Sequence, residues 1–228
     1  MDGMLMSGGW TMSMAWMRMP GQTWPGAAAS FLSMWAGMMA VMMLPSLIPM
    51  LCRYREAVRG VGKARRTLLT AIVGVGYLSV WSMLGAVVFP TGAALATIAM
   101  RQPVLARAVP TVAGVIILIA GAIQLTSWKA RRLACCREMP ERCRTLPADR
   151  GTAWRHGVRL GFQCVGCCGN LMAILIAVGV MDVHAMAVVT AAITTERLPP
   201  SGALVARALG ALIVGVGIIS IARVVGLG

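Results

Sequence analysis

Residues 67–89 read TLLTAIVGVGYLSVWSMLGAVVF and contain no charged side chain. A helix needs about 20 mostly apolar residues to cross the hydrocarbon core of a bilayer, so this stretch predicts a membrane-spanning helix. Over the whole chain of 228 residues, 58% are hydrophobic, which exceeds the usage of about 45–50% in soluble proteins. The sequence therefore predicts an all-α, polytopic transmembrane helix bundle.

Comparable apolar runs on both sides of 67–89 predict about six spans in all. They lie near 27–51, 67–89, 109–128, 160–180, 181–198 and 203–225, so the predicted bundle covers residues 27–225. The fifth run has the shortest uncharged stretch, 183–195. It is either a re-entrant segment or a short tilted helix whose Asp182, Glu196 and Arg197 reach the interfaces.

Basic residues between the spans predict the orientation. Of the 21 Lys and Arg residues, six lie in 53–66 and nine in 129–159, whereas the 90–107 connection carries only Arg101 and Arg107. Because basic loops stay in the cytoplasm, 53–66 and 129–159 are predicted to be cytoplasmic, and both termini then lie outside. We expect a multi-pass protein of the bacterial inner membrane. Its net charge of +14 then serves topology and contacts to lipid head groups, and no nucleic acid partner is expected.

The N-terminal segment, residues 1–26, is rich in Met and Trp. Asp2 stands where a secretory signal has basic residues, so a cleaved signal is not predicted. Trp10 and Trp16 favour head-group depth, while Arg18 opposes deep insertion. An interfacial or partner-bound helix is therefore expected here.

Catalytic motifs are missing from the sequence. It contains no Walker or Rossmann glycine pattern and no Ser/His/Asp grouping. Its two histidines, His156 and His184, are too few for a polyhistidine centre. No predicted span has a carboxylate in its middle, which argues against cation pumping. We therefore expect no catalytic residues in this chain.

Sulfur is the chemically distinctive element of the chain, with 19 Met and 7 Cys residues. In GFQCVGCCGNLM, residues 161–172, Cys164, Cys168 and Met172 recur every four residues and share one helical face, with Cys167 beside them. Met38 and Met42 form a similar strip on the first span, and both strips are predicted to lie in the cytoplasmic half of the bilayer.

Thiolates and thioethers suit Cu(I), so copper is the expected metal. The predicted ligands are Cys164, Cys167, Cys168, Met172, Met38 and Met42, with His184 and Asp182 ranked behind them. Two alternatives stay open: Met is also a flexible apolar filler, and the small residues around the cysteines also suit close helix packing.

Three further cysteines, Cys135, Cys136 and Cys143, lie in the second basic loop with His156. Four such side chains can bind zinc, but their spacing matches no standard zinc finger. We expect reduced loop thiols here instead.

The elements MWAGMMAVMMLPS (34–46), QLTSWK (124–129), CVGCCGNLM (164–172) and GVMD (179–182) resemble a bacterial family of unknown function. That family is described as predicted metal-binding integral membrane proteins. The resemblance covers roughly residues 30–215, and its specific parts are the MMLP and CxGCC motifs. It implies a multi-span bundle and a bound metal, but no particular activity. The chain departs from the family pattern at Gly169, where an aromatic residue is usual, and at Asp182, where an amide is usual.

Three functions fit these features. The first is a membrane protein that handles Cu(I) for delivery or storage. The second is a non-catalytic accessory subunit of a larger membrane enzyme, such as a copper-dependent oxidase or monooxygenase. The third is a thiol redox protein that uses Cys164, Cys167 and Cys168.

Overall fold

The structure is a computed structural model and describes residues 4–6, 9–138, 147–180, 182–197 and 202–226, without the side chains of Leu5 and of 135–138. Seven helices account for most of these residues, so the predicted all-α bundle is confirmed. The helices are α1 Trp24–Ala57, α2 Lys63–Arg101, α3 Pro103–Leu125, α4 Ser127–Glu138, α5 Arg150–Val178, α6 Val183–Arg197 and α7 Gly202–Val225.

The expected N-terminal helix is wrong. In the described part of this segment, strand β1 (Met4–Leu5) pairs antiparallel with strand β2 (Thr11–Met12), and a short 3₁₀ turn follows at Met14–Trp16. Gly9, with φ of +74°, lies between the strands in a conformation that favours glycine. The segment is tied to the bundle because Trp10 Nε1 donates to the carbonyl of Ala106 at 2.8 Å.

The expected connection at 90–107 is also wrong. Helix α2 continues through Pro90 to Arg101, and only Gln102 separates it from α3. Gln102 is extended and precedes Pro103, which begins α3, because a residue before proline avoids the helical conformation. The two helices thus form a long hairpin with a one-residue break.

Two pairs of helices pack with glycine at the contact. On α5, a Cβ at Gly157 would overlap the carbonyl oxygen of Val73 in α2, and one at Gly161 would lie 2.8 Å from Val80 Cγ2. The matching order of these residues makes α2 and α5 parallel. Such close approach lets side chains beyond the glycines meet across the helix pair.

Helices α3 and α7 pack in the opposite sense. Gly114 in α3 faces Ile221, whereas Gly210 in α7 faces Gln124, so residue numbers rise along one helix as they fall along the other. The pair is therefore antiparallel. The C-terminal end of α3 and the N-terminal half of α7 therefore lie at the same end of the bundle.

Helix α6 lies between α5 and α7 in the chain. Among the described residues, the helices α1, α2, α3, α5 and α7 are long and apolar enough to cross a membrane, whereas α6 with 15 residues is too short for that class. It covers about 22 Å at about 1.5 Å per residue, against a hydrocarbon core of about 30 Å. It begins beside the C-terminal end of α5 and ends at the level of Cys164, to which Arg197 donates a hydrogen bond.

Candidate metal centre

Helix α5 positions the cysteines through its own periodicity. Gly157 and Gly161 lie against α2, and Cys164 and Cys168 continue the same face by whole turns. Both cysteines are free thiols and buried, with exposed fractions of 0% and 2%. The face of α5 that packs against α2 near the start of the helix therefore also places the two cysteines in the middle of the bundle.

Four groups surround the sulfur of Cys164. Its Sγ lies 3.9 Å from Cys168 Sγ and 3.9 Å from Met43 Sδ. The Tyr77 hydroxyl donates to it at 2.9 Å, and Arg197 Nη1 donates at 3.0 Å. We call these five residues the sulfur cluster. They come from α1, α2, α5 and α6, so the cluster exists only in the folded bundle.

Arg197 is the charged member of the sulfur cluster. Its exposed fraction is 9%, and its Nη2 lies 3.9 Å from Met50 Sδ. Within the described residues, no carboxylate lies within salt-bridge distance of Arg197. A buried guanidinium without a counter-ion is costly, so the thiolate form of Cys164 is the group that can balance its charge.

A second buried group, which we call the polar cluster, lies beside the sulfur cluster. Lys129 Nζ forms a salt bridge of 3.0 Å with Glu196 Oε2 and donates to the Cys167 carbonyl and, at 3.2 Å, to Asn170 Oδ1. Gln124 donates to Glu196 and accepts from Asn170 Nδ2 at 2.8 Å. The expectation that Glu196 and Arg197 reach the interfaces is therefore wrong, because each finds buried partners on other helices.

The predicted ligands fall into three groups. Cys164 and Cys168 lie together as described above. Met42 and Met172 are buried in the same core and Met38 packs against it, but the thioether that lies against Cys164 is that of Met43. Cys167 is disulfide-bonded, and its sulfur lies 3.3 Å from the Arg132 carbonyl oxygen. That Met38, Met42, Met172 and Cys167 bind a metal stays a prediction. For Cys167 the prediction applies only to a reduced form, in which its disulfide is broken.

Asp182 and His184 lie elsewhere, at the end of the bundle where α5 ends and α6 begins. They line a separate cavity with residues of the N-terminal segment. Asp182 is exposed and its carboxylate accepts from the Ala185 N–H at 3.0 Å, which caps α6 and lowers the pKa of Asp182. Neither residue belongs to the sulfur cluster.

The expectation of reduced thiols at Cys135, Cys136 and Cys143 concerns side chains that lie outside the described part of the chain. His156, which the sequence placed near them, stacks on Tyr54 with ring centroids 5.6 Å apart.

The number and type of sulfur donors limit the ions that the sulfur cluster can bind. Within the described residues, no three side chains among His, Cys, Asp and Glu converge as a metal site. The sulfur cluster reaches three donors only with the thioether of Met43, and such a set suits a soft monovalent ion. Three sulfurs in a plane around a metal lie about 4.0 Å apart when each bond is about 2.3 Å. The distances from Cys164 Sγ to Cys168 Sγ and to Met43 Sδ, both 3.9 Å, are close to that spacing.

Sequence reasoning missed Met43, Tyr77 and Arg197. Met43 directly follows Met42, and the sequence carries no signal that would choose between them. Tyr77 lies within an apolar run that predicts only a span. Arg197 carried the one usable signal, since an ionisable residue at the edge of a span marks either an interface or a functional contact.

Comparison with known protein families identifies a match over most of the chain. The family model described as PpoB2: Copper chaperone matches residues 32–220. The match includes the residues of both clusters, and the metal it names agrees with the expectation from the sulfur residues. No curated protein and no solved structure matches the chain.

Proposed function

The chain belongs to the copper chaperone family PpoB2, and from this premise we propose that its sulfur cluster carries Cu(I) as cargo within the membrane. Cys164 and Cys168 serve as thiolate donors, and the thioether of Met43 completes the set. Cu(I) is held for transfer to another protein, without chemical turnover. The orientation that the arginine count predicts places this site nearer the cytoplasmic face of the inner membrane.

The observation that carries this proposal is the pairing of three sulfurs with one buried cation. Two thiolates bound to Cu(I) have a net charge of −1, which is costly to bury in a helix bundle. Arg197 contributes +1 within 3.0 Å of Cys164, so the loaded site is neutral as a whole. A cluster that served only helix packing would not be stabilised by a buried guanidinium that donates a hydrogen bond to a cysteine.

The coordination number suits a chaperone. Three sulfur donors leave Cu(I) open to a fourth, incoming ligand, so a partner can take the ion by exchanging one sulfur at a time. Tyr77 and Arg197 bond to Cys164 through hydrogen bonds only. These bonds stabilise the anionic sulfur without occupying a metal position, and they stay available while the ion enters or leaves.

The test is Cu(I) binding by the full chain, purified without oxygen in mild detergent. Affinity is measured by competition with a chromophoric Cu(I) chelator. In a double variant, Cys164→Ser with Cys168→Ser, we expect loss of the tightest Cu(I) equivalent. Met43→Leu should weaken that equivalent roughly tenfold, which corresponds to about 1.4 kcal/mol.

Two control variants match these changes in chemistry but not in position. Cys52→Ser removes an exposed free thiol, and Met83→Leu removes a methionine that is 66% exposed on α2. Both should bind Cu(I) as the unmodified chain does. The proposal is wrong if the double cysteine variant, folded and monodisperse, keeps the tightest equivalent. If the chain holds no Cu(I) and instead purifies in fixed ratio with other membrane subunits, the accessory-subunit alternative replaces it.

A further inference from the structure

A second set of thioethers lines a cavity at the opposite end of the bundle. The cavity has a volume of about 770 Å³ and lies between the N-terminal segment and the outer ends of α1, α5 and α6. Its wall includes the sulfur-bearing and charged residues Met14, Met17, Met19, Met34, Asp182 and His184. None of these residues belongs to the sulfur cluster.

These methionines do not fill space in a core. Met14, Met19 and Met34 are 41%, 56% and 39% exposed. The remaining wall mixes serine, threonine and glutamine side chains with alanine, valine and phenylalanine. The three exposed methionines therefore remain accessible from the cavity, as ligands for an incoming ion must be.

The donors in this cavity match a soft cation. Thioethers bind Cu(I) and Ag(I) but hold hard divalent ions poorly, and an imidazole from His184 is compatible with the same ions. The carboxylate of Asp182 adds a negative charge at the mouth of the cavity, which favours the approach of a cation.

Further methionines lie between the cavity and the sulfur cluster. Met34, Met38 and Met42 follow one another by single helical turns along α1, and Met43 lies against Cys164. From Met34 to Met43 the helix rises about 13 Å at about 1.5 Å per residue, and Met34, Met38 and Met42 are spaced about 6 Å apart along the helix axis.

We propose that the outer cavity is a capture site for Cu(I) and that the α1 methionines connect it to the sulfur cluster. This inference rests on the proposed function, because it assigns the route by which the cargo reaches Cys164. Capture by thioethers is weaker than binding by two thiolates, so the ion moves from the cavity toward the cysteines.

The experiment compares two variants of the full chain in detergent without oxygen. The cavity variant changes Met14, Met17, Met19 and Met34 to Leu, and the double cysteine variant is the one described above. A smaller change, Met14→Leu with Met19→Leu, alters only exposed residues and serves if the larger variant does not fold. Cu(I) per chain, loading rate and X-ray absorption of bound copper are recorded.

We expect the unmodified chain to bind two equivalents of Cu(I). The cavity variant should lose the weaker equivalent, keep the tighter one and load it at least tenfold more slowly. In the double cysteine variant, the remaining copper should show thioether sulfur as its main ligand.

The inference is overturned if the cavity variant binds and loads Cu(I) as the unmodified chain does. It is also overturned if that variant loses a co-purifying protein with no change in copper. Failure of the proposed function is distinguishable from both outcomes, because it appears as unchanged tight binding in the double cysteine variant.

Discussion

The sulfur cluster and the polar cluster lie at the same level of α5 and differ in how their charges are balanced. In the polar cluster, the ammonium of Lys129 meets the carboxylate of Glu196, and amide groups of Gln124 and Asn170 bond to the pair. In the sulfur cluster, the guanidinium of Arg197 contacts the sulfurs of Cys164 and Met50, and no carboxylate of the described residues lies within salt-bridge distance of it.

From this difference we infer a structural role for the polar cluster and a functional role for the sulfur cluster. A buried ion pair whose remaining donors and acceptors are bonded holds helices together and needs no further ligand. A buried cation that pairs with a thiolate, with no carboxylate at salt-bridge distance among the described residues, stays balanced when Cu(I) binds. The second thiolate and Cu(I) add charges of −1 and +1, so the loaded site remains neutral. The comparison predicts that variants of the two clusters will affect different quantities.

The largest effect is expected for Glu196→Gln, which breaks the polar cluster. Lys129 would lose its buried counter-ion, and removal of one partner from a buried pair costs about 3–5 kcal/mol. We expect a value near the lower end, since the Cys167 carbonyl and Asn170 still accept from Lys129. Stability is measured by denaturant titration in detergent, and Cu(I) binding should fall only with the folded fraction.

Glu56→Gln is the matched control for this change. Glu56 pairs with Arg59 at 3.4 Å, and both side chains are more than 60% exposed. An exposed pair contributes little, so the control should alter stability by less than about 1 kcal/mol. Equal effects of the two substitutions would show that the polar cluster is not the structural element described above.

The second effect is expected for Arg197→Met, which removes the cation from the sulfur cluster. Stability should be unchanged or higher, because a buried guanidinium is replaced by an apolar side chain. Cu(I) affinity should fall about 10- to 100-fold, since a hydrogen bond to a charged group is worth about 1.5–3 kcal/mol. Chelator competition and denaturant titration give the two values for the same sample.

Arg207→Met on α7 controls for loss of an arginine, because Arg207 is exposed and outside both clusters. It should leave Cu(I) affinity unchanged. Unaltered affinity in Arg197→Met would contradict the assignment of Arg197 as counter-ion to the loaded site.

The smallest effect is expected for Tyr77→Phe. The change removes one neutral donor to Cys164 and keeps the ring in place, so Cu(I) affinity should fall about two- to tenfold, or about 0.5–1.5 kcal/mol. Tyr54→Phe is the control, because Tyr54 is also buried but stacks on His156. A tenfold or greater loss in the control would mean that the effect arises from core packing.

The sequence predicted the parts of the molecule that depend on local periodicity. The spans follow from uncharged runs, and the shared face of Cys164 and Cys168 follows from their spacing of four. Neighbouring residues on a helix point about 100° apart, so either Met42 or Met43 could face Cys164. The choice between them depends on how α1 is rotated about its own axis. That rotation depends on contacts distant in sequence, such as the hydrogen bond of 2.8 Å from Trp35 Nε1 to the Trp81 carbonyl.

The charged residues were misplaced for a related reason. Burial of Glu196 and Arg197 is favourable only if partners are available, and those partners lie far along the chain. Glu196 bonds to Gln124, 72 residues away, and Arg197 bonds to Cys164, 33 residues away. A single span examined alone gives no sign of them, so its ends were assigned to the interfaces.

The neighbouring positions of Glu196 and Arg197 at the end of α6 impose an evolutionary constraint on the family. One helix turn supplies both clusters, so a one-residue insertion within α6 would place the carboxylate at the position that faces Cys164, and a one-residue deletion would place the guanidinium at the position that faces Lys129. Either change places like charges together. We therefore expect the length of α6 to vary little among related chains, with residues 129 and 196 substituted as a pair and residues 164 and 197 as another.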